Sequence, residues 1–204
     1  MKRIYNDLNL ASRNSFGVSE TARVVIEFDC AEELKAIFGG ERPQKWYVLG
    51  AGNNTLFTQY YDGTILTPVC SNRTILSDDG VDVVVRVEAG HDWDDLVEWS
   101  VEQGLWGIEN LSSIPSSVGA APVQNIGAYG AEAKDAITVV EYFDTRTLDI
   151  VRLSNSECKF AYRESIFKQE LKGHVIILAV EFRLYRSPRP NLGYGDVISE
   201  VENR

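Results

Sequence analysis

Residues 104–132, GLWGIENLSSIPSSVGAAPVQNIGAYGAE, restrict this chain more than any other segment. Small or turn-forming residues crowd it: Ser112, Ser113, Pro115, Ser116, Ser117, Gly119, Ala120, Ala121, Gly127, Ala128 and Gly130, interrupted by the polar Gln124, Asn125 and Tyr129. With few charges it forms no solvated face, and with small side chains it fills a core poorly. Such backbone suits close approach to a large, flat, partly polar ligand whose phosphates meet amides and hydroxyls. A glycine-rich loop over a sheet is the alternative; the length and the Ser/Gly alternation favour ligand contact.

Two further segments carry chemistry. In YVLGAGNNTLF, residues 47–57, an apolar run meets a turn containing Gly50 and Gly52, then Asn53 and Asn54. Glycines let backbone N–H groups converge on an anion. No Lys-Ser/Thr pair follows, so it is not a P-loop, and the third glycine of a dinucleotide fingerprint is missing. Taken on its own, this segment reads in the first place as a tight structural turn. In CKFAYRESIFK, residues 158–168, Phe160, Tyr162 and Phe167 surround Arg163, Glu164 and Lys168. Taken without context, Arg163 reads as a packed surface ion pair; in an active site the same guanidinium would bind a carboxylate through two parallel hydrogen bonds.

The remaining pattern is α+β. Residues 22–28 read as a strand, 30–38 as a helix with Leu34, Ile37 and Phe38 on one face and Gly39-Gly40 as its stop, and 46–49 as a second strand. Alternating Val83, Val85 and Val87 lead to Ala89-Gly90. Asp92 or His91 then caps a helix with Trp93, Leu96, Val97, Ser100 and Val101 as apolar positions and Gly104 as its end. Residues 137–143 and 148–153 read as a hairpin, and 174–185 as a last strand broken by Ser187-Pro188-Arg189-Pro190. Asp196 is placed to cap a further helix from Val197.

The formal charge of −10 argues against nucleic acid or an acidic membrane surface as partner, although backbone amides still admit an anionic cofactor. Cys30, Cys70 and Cys158 are odd in number and widely spaced, which fits neither a disulfide framework nor a zinc site. No signal-like or membrane-spanning stretch occurs, so a reducing cytoplasm is the expected compartment.

Together, IENLSSIPSSVGAAPVQNIGAYGAE, CKFAYRESIFK and NLGYGD, with the GAGNN turn, resemble the UDP-N-acetylenolpyruvoylglucosamine reductase (MurB) family, in order and spacing, from residue 14 through Asp196. The Tyr-Gly-Asp segment is similar to the subclass in which a tyrosine loop folds over substrate.

The resemblance implies a two-lobed FAD-binding fold of the vanillyl-alcohol-oxidase type. Residues 1–70 would form a small α/β lobe, 71–187 a larger α+β lobe, and 188–204 a linker into a substrate domain that the sequence lacks. It implies NADPH as reductant, an enolpyruvyl UDP-sugar as substrate, a role in peptidoglycan synthesis, and a monomeric full-length enzyme. Gly50, Gly52, Asn53 and Asn54 match the turn near the FAD pyrophosphate, with Asn53 where the family usually has serine. Ile114, Pro115, Ser116, Ser117, Gly119, Asn125, Gly127, Ala128 and Tyr129 match the second flavin-binding stretch, with Ser116 where glycine is frequent. Arg163 matches the catalytic arginine; Tyr162 and Tyr194 match substrate-binding positions.

Neither His nor Cys occurs in residues 47–57 or 104–132, so non-covalent FAD is expected. The family's glycine-serine-phenylalanine-phenylalanine motif, which carries its proton-donating serine, is absent, as is its C-terminal acid. The chain is therefore expected to be a fragment with little activity of its own. A non-enzymatic flavin-binding module and another oxidoreductase of the same flavin fold are the competing readings.

Overall fold

In the computed structural model, residues 2–195 and residue 198 are described. The expected helix after Asp196 falls outside them. The chain builds two main sheets in sequence order. The first contains β1 (Arg3–Asn9), β2 (Thr21–Phe28), β3 (Trp46–Val48) and β4 (Tyr61–Pro68), with α1 (Ala31–Gly39) between β2 and β3. Its spatial order is β1-β2-β4-β3; β1 runs antiparallel to β2, whereas β2 and β3 both run parallel to β4. The two strands expected from sequence are thus separated by a third, β4, so they are not direct neighbours.

The second sheet contains β5 (Arg73–Asp78), β6 (Asp82–Glu88), β9 (Ile137–Asp144), β10 (Ile150–Ser154) and β11 (Val175–Tyr185), in the order β10-β9-β11-β6-β5 and antiparallel throughout. Helix α2 (Trp93–Glu102) follows β6, and β7 (Gly127–Ala128) pairs with β8 (Ala131–Glu132) as a two-residue ribbon.

Local chemistry explains these limits. The Asp92 carboxylate accepts from the N–H groups of Asp94 and Asp95 and so caps α2. Past Gln103, Gly104 takes a φ of +66°, while Leu105 N–H donates to Ser100 O at 2.8 Å, closing the helix end. Trp93, Leu96, Val97 and Ser100 are buried, but Val101, expected on the apolar face, is exposed because it lies one position beyond that stripe. Leu148, expected in the hairpin's second strand, instead adopts φ +64° in the turn and packs with α1. That leaves β10 to start at Ile150.

Two cores serve one sheet each, and a third joins them. Ile26, Phe28, Leu34, Ile37, Phe38 and Leu66 from the first unit pack with Phe143, Ile176 and Leu178 from the second. Phe38 anchors this junction, with ring centroids 5.4 Å from Trp46 and 6.0 Å from Phe143. Each fully buried side chain of this kind contributes about 1.5–3 kcal/mol of transfer free energy. The two sheets therefore share one apolar block.

Candidate functional site

The first wall begins where β3 ends. Leu49 N–H still donates to Leu66 O at 2.9 Å, and the chain then turns through Gly50 and Gly52. Gly52 has φ +72°, and a Cβ there would lie 2.1 Å from the Arg13 carbonyl oxygen, so backbone angle and contact both require glycine. Ser15 fastens the turn: its N–H donates to Gly52 O and its hydroxyl to Asn53 O, each at 3.3 Å.

Arg13 is itself braced. Its guanidinium donates at 2.6 Å to the buried Glu27 carboxylate, which also receives Tyr5 Oη at 3.2 Å and Arg3 at 3.4 Å. Burial alone raises the Glu27 pKa, but the Arg13 hydrogen bond and charge, with Tyr5 and Arg3, outweigh it and hold the carboxyl below its ordinary value. Buried Asn14 secures the same loop through the carbonyls of Leu10 at 2.7 Å and Val18 at 3.1 Å.

The second wall hangs on α2 and the end of β6. Trp93 Nε1–H donates to Leu111 O at 2.8 Å, and the Asp94 carboxylate accepts from Ser112 Oγ at 3.0 Å and Ser113 N–H at 2.6 Å. Val118 N–H reaches His91 O and Gly119 N–H reaches Ala89 O, both at 2.9 Å. The small-residue stretch thereby lies across the top of the sheet. Ser117 is buried and turns its hydroxyl toward Gly50, where a Cβ would come within 2.6 Å of it.

Between these walls lies a cleft of about 510 Å³. Its lining comes from residues 46–48, 50–55, Pro68, Ala89, 115–117, 119–120, 123–124, 167–168, 171–173 and 175–177, and Asn54 Nδ2 donates to Gln124 Oε1 across it at 3.4 Å. Gly50, Gly52, Asn53, Asn54, Pro115, Ser116, Ser117 and Gly119 are brought together here. Trp46, Phe167, Leu171 and Ile177 supply apolar surface, and the described lining carries Lys168 and Lys172 but no carboxylate. In a chain of net charge −10, that local sign suits an anion. Close-set glycines, amide and hydroxyl donors, apolar walls and two cations fit an aromatic dinucleotide.

The other candidates stand apart from the cleft. Ile114 and Ala128 pack on the core of the second sheet, and Asn125 is fully buried. Gly127 O accepts from Arg163 Nη2 at 2.7 Å. Arg163 is exposed, has no carboxylate partner among the described residues, and lies with its guanidinium carbon 6.0 Å from the ring of Tyr162, itself 84% exposed. Tyr129 meets Tyr194 edge-on at 6.2 Å, with Asn191 Nδ2 donating to Gly130 O at 3.0 Å. Asn110 Nδ2 ties these segments together through Tyr129 O at 3.0 Å and Asn191 O at 2.8 Å.

Lys168 links the two groups of candidates, since it lines the cleft and donates from Nζ to Arg163 O at 2.8 Å. The adjoining Cys158 thiol is pushed up to about 12, by burial first and then by Glu157, which leaves it unreactive.

Sequence reasoning passed over Lys172 and Gln124 as cleft residues, and Arg13 and Glu27 as supports. Gln124 lay inside a segment already singled out. Lys172 carries no local signal, because only the return of the chain into β11 brings it to the cleft. Arg13 sits in the 3-10 turn after β1 and Glu27 on β2, 14 positions apart, a contact that spacing does not reveal.

The FAD binding domain family matches residues 22–154. The chain is 46% identical over 98% of its length to a UDP-N-acetylenolpyruvoylglucosamine reductase of Neisseria gonorrhoeae, and 43% identical over 93% to one of Aliivibrio fischeri. It spans 59% and 54% of those two relatives. A crystal structure of UDP-N-acetylenolpyruvylglucosamine reductase (MurB) from Thermus caldophilus superposes with a TM-score of 0.76 at 25% identity, covering all of this chain and 69% of that one.

Proposed function

The chain belongs to the FAD binding domain family, and on that premise we propose that it is the flavin-binding part of an NADPH-dependent reductase converting UDP-N-acetylglucosamine enolpyruvate to UDP-N-acetylmuramate. The observation that carries this reading is the carboxylate-free, lysine-bearing cleft of an acidic protein, walled by the two segments singled out from sequence. The likeness to the Neisseria and Aliivibrio reductases supports the choice of substrate.

In this reading Gly50, Gly52, Asn53, Asn54 and residues 115–119 hold FAD, with backbone amides and side-chain donors toward its phosphates. Held there, FAD would supply two-electron, hydride-transfer chemistry linking NADPH to the enolpyruvyl group. The described lining offers no histidine or cysteine side chain, which supports non-covalent attachment. Arg163, exposed and free of carboxylates among the described residues, holds the substrate carboxylate and stabilises the enolate-like charge that develops when the double bond is reduced. Tyr162, beside the Arg163 guanidinium, and Tyr194, against Tyr129, contact substrate in this reading. The two lobes of this reading are residues 1–70 and 71–187.

The visible spectrum of the purified chain after incubation with FAD tests the cofactor reading. Retained oxidised-flavin bands that leave with the supernatant on denaturation are expected; a folded chain that never retains flavin overturns it.

A further inference from the structure

The geometry points to Asn125 as a positioning residue that fixes the turn carrying Arg163, a role distinct from contact with cofactor. The inference rests on the proposal that Arg163 receives the substrate carboxylate. Asn125 is fully buried and lies outside the cleft lining, in left-handed backbone at φ +44°. Its Nδ2 donates to Ala161 O at 3.0 Å, and its Oδ1 accepts from Lys134 N–H at 3.0 Å. A carbonyl only accepts and an amide N–H only donates, so the two partners dictate which way the amide group lies. Both polar ends are occupied within the protein.

The contact is returned two residues further along each segment. Arg163, also left-handed at φ +53°, donates from Nη2 to Gly127 O at 2.7 Å. Asn125 thus holds the backbone that bears Arg163, while Arg163 holds the backbone that follows Asn125. The buried Ser165 hydroxyl adds a third stitch to Val123 O at 2.6 Å, and the turn closes on itself through paired bonds between Ala161 and Glu164 at 3.0 and 3.1 Å. Asparagine suits this position because it tolerates left-handed backbone and offers a donor and an acceptor at once. Aspartate keeps the acceptor, loses the donor, and sets a charge against the Ala161 carbonyl.

Two variants separate the roles. Asn125→Asp replaces the donated bond with a charge facing the Ala161 carbonyl, and Asn125→Gly deletes the side chain while keeping a residue at ease at positive φ. In the FAD-loaded chain, amide hydrogen exchange at Ala161 and Glu164 is expected to quicken about tenfold in both variants, with β9 and β11 unchanged. Flavin affinity should stay within about threefold, since the side chain faces protein. In the full-length reductase, Asn125→Asp should lower kcat, yet cause no further loss in an Arg163→Ala background, because the two act as one unit. Unchanged exchange in the turn, or additive losses in the double variant, overturns the inference. So does a flavin affinity that falls about tenfold while the turn stays protected, or collapse of cooperative melting in both variants. Should the wild-type chain bind no FAD, the proposed function fails, and exchange in the unloaded chain still decides the part played by Asn125.

Discussion

Gly50 lies directly under the hydroxyl of Ser117, so close that a Cβ on Gly50 would sit 2.6 Å from that oxygen. One residue belongs to the turn after β3 and the other to the small-residue stretch, and their contact forms the floor of the cleft. Gly50→Ala must therefore push the two walls apart or force Ser117 off its rotamer. Overpacking of this kind costs about 1–3 kcal/mol, which predicts roughly a tenfold or greater loss of FAD affinity by flavin-fluorescence titration. Adding Ser117→Gly should recover much of that loss, because it removes the clashing group.

Gly52→Ala should act on stability as well as binding. Left-handed backbone with a Cβ aimed at the Arg13 carbonyl allows no local relief. A drop of about 1–3 kcal/mol in unfolding free energy is expected from urea denaturation.

The Glu27 cluster predicts a pH dependence. The folded pKa lies below the ordinary carboxylate value, so the stabilisation is complete above that ordinary value and disappears as pH falls through the folded one. Glu27→Gln should lose about 1–3 kcal/mol at neutral pH and should flatten the acid limb of the stability curve. Chemical denaturation at stepped pH values checks both parts.

Lys168→Met and Lys172→Met should each weaken FAD about three- to tenfold at low salt, with the gap to wild type narrowing as ionic strength rises. Titrations at two salt concentrations measure this. Equal losses at both would assign the lysines a packing role instead.

Arg163→Ala in the full-length reductase should leave flavin bound and reduce kcat about 10²- to 10³-fold, as for loss of one charge-stabilising group. Stopped-flow separation of flavin reduction from substrate reduction should place the whole effect on the second half-reaction.

Much of this organisation was legible in the sequence because it rests on local chemistry. The Asp92 cap, the Gly104 helix end, the apolar stripe of α2 and the glycine turn at residues 50–52 all announce themselves within a few positions. Strands β1, β4 and β5 did not. β1 reads RIYNDLN with no apolar alternation, β4 is interrupted by Asp62 and Gly63 and ends in Pro68, and β5 is an edge strand exposed along its length. The division of the second small-residue stretch was also hidden. Residues 115–117, 119–120 and 123–124 line the cleft, whereas Asn125 and Gly127 bond to the Arg163 turn. A continuous run of small residues gives no hint of where its facing changes.

The shared core around Phe38 and Phe143 has a consequence for how flavin is acquired. With both sheets anchored to one apolar block, the spacing of the cleft walls is set by the protein's own packing. Association then needs no large ordering step, so uptake should follow simple one-phase kinetics, and affinity differences among cleft variants should emerge in how fast the cofactor escapes.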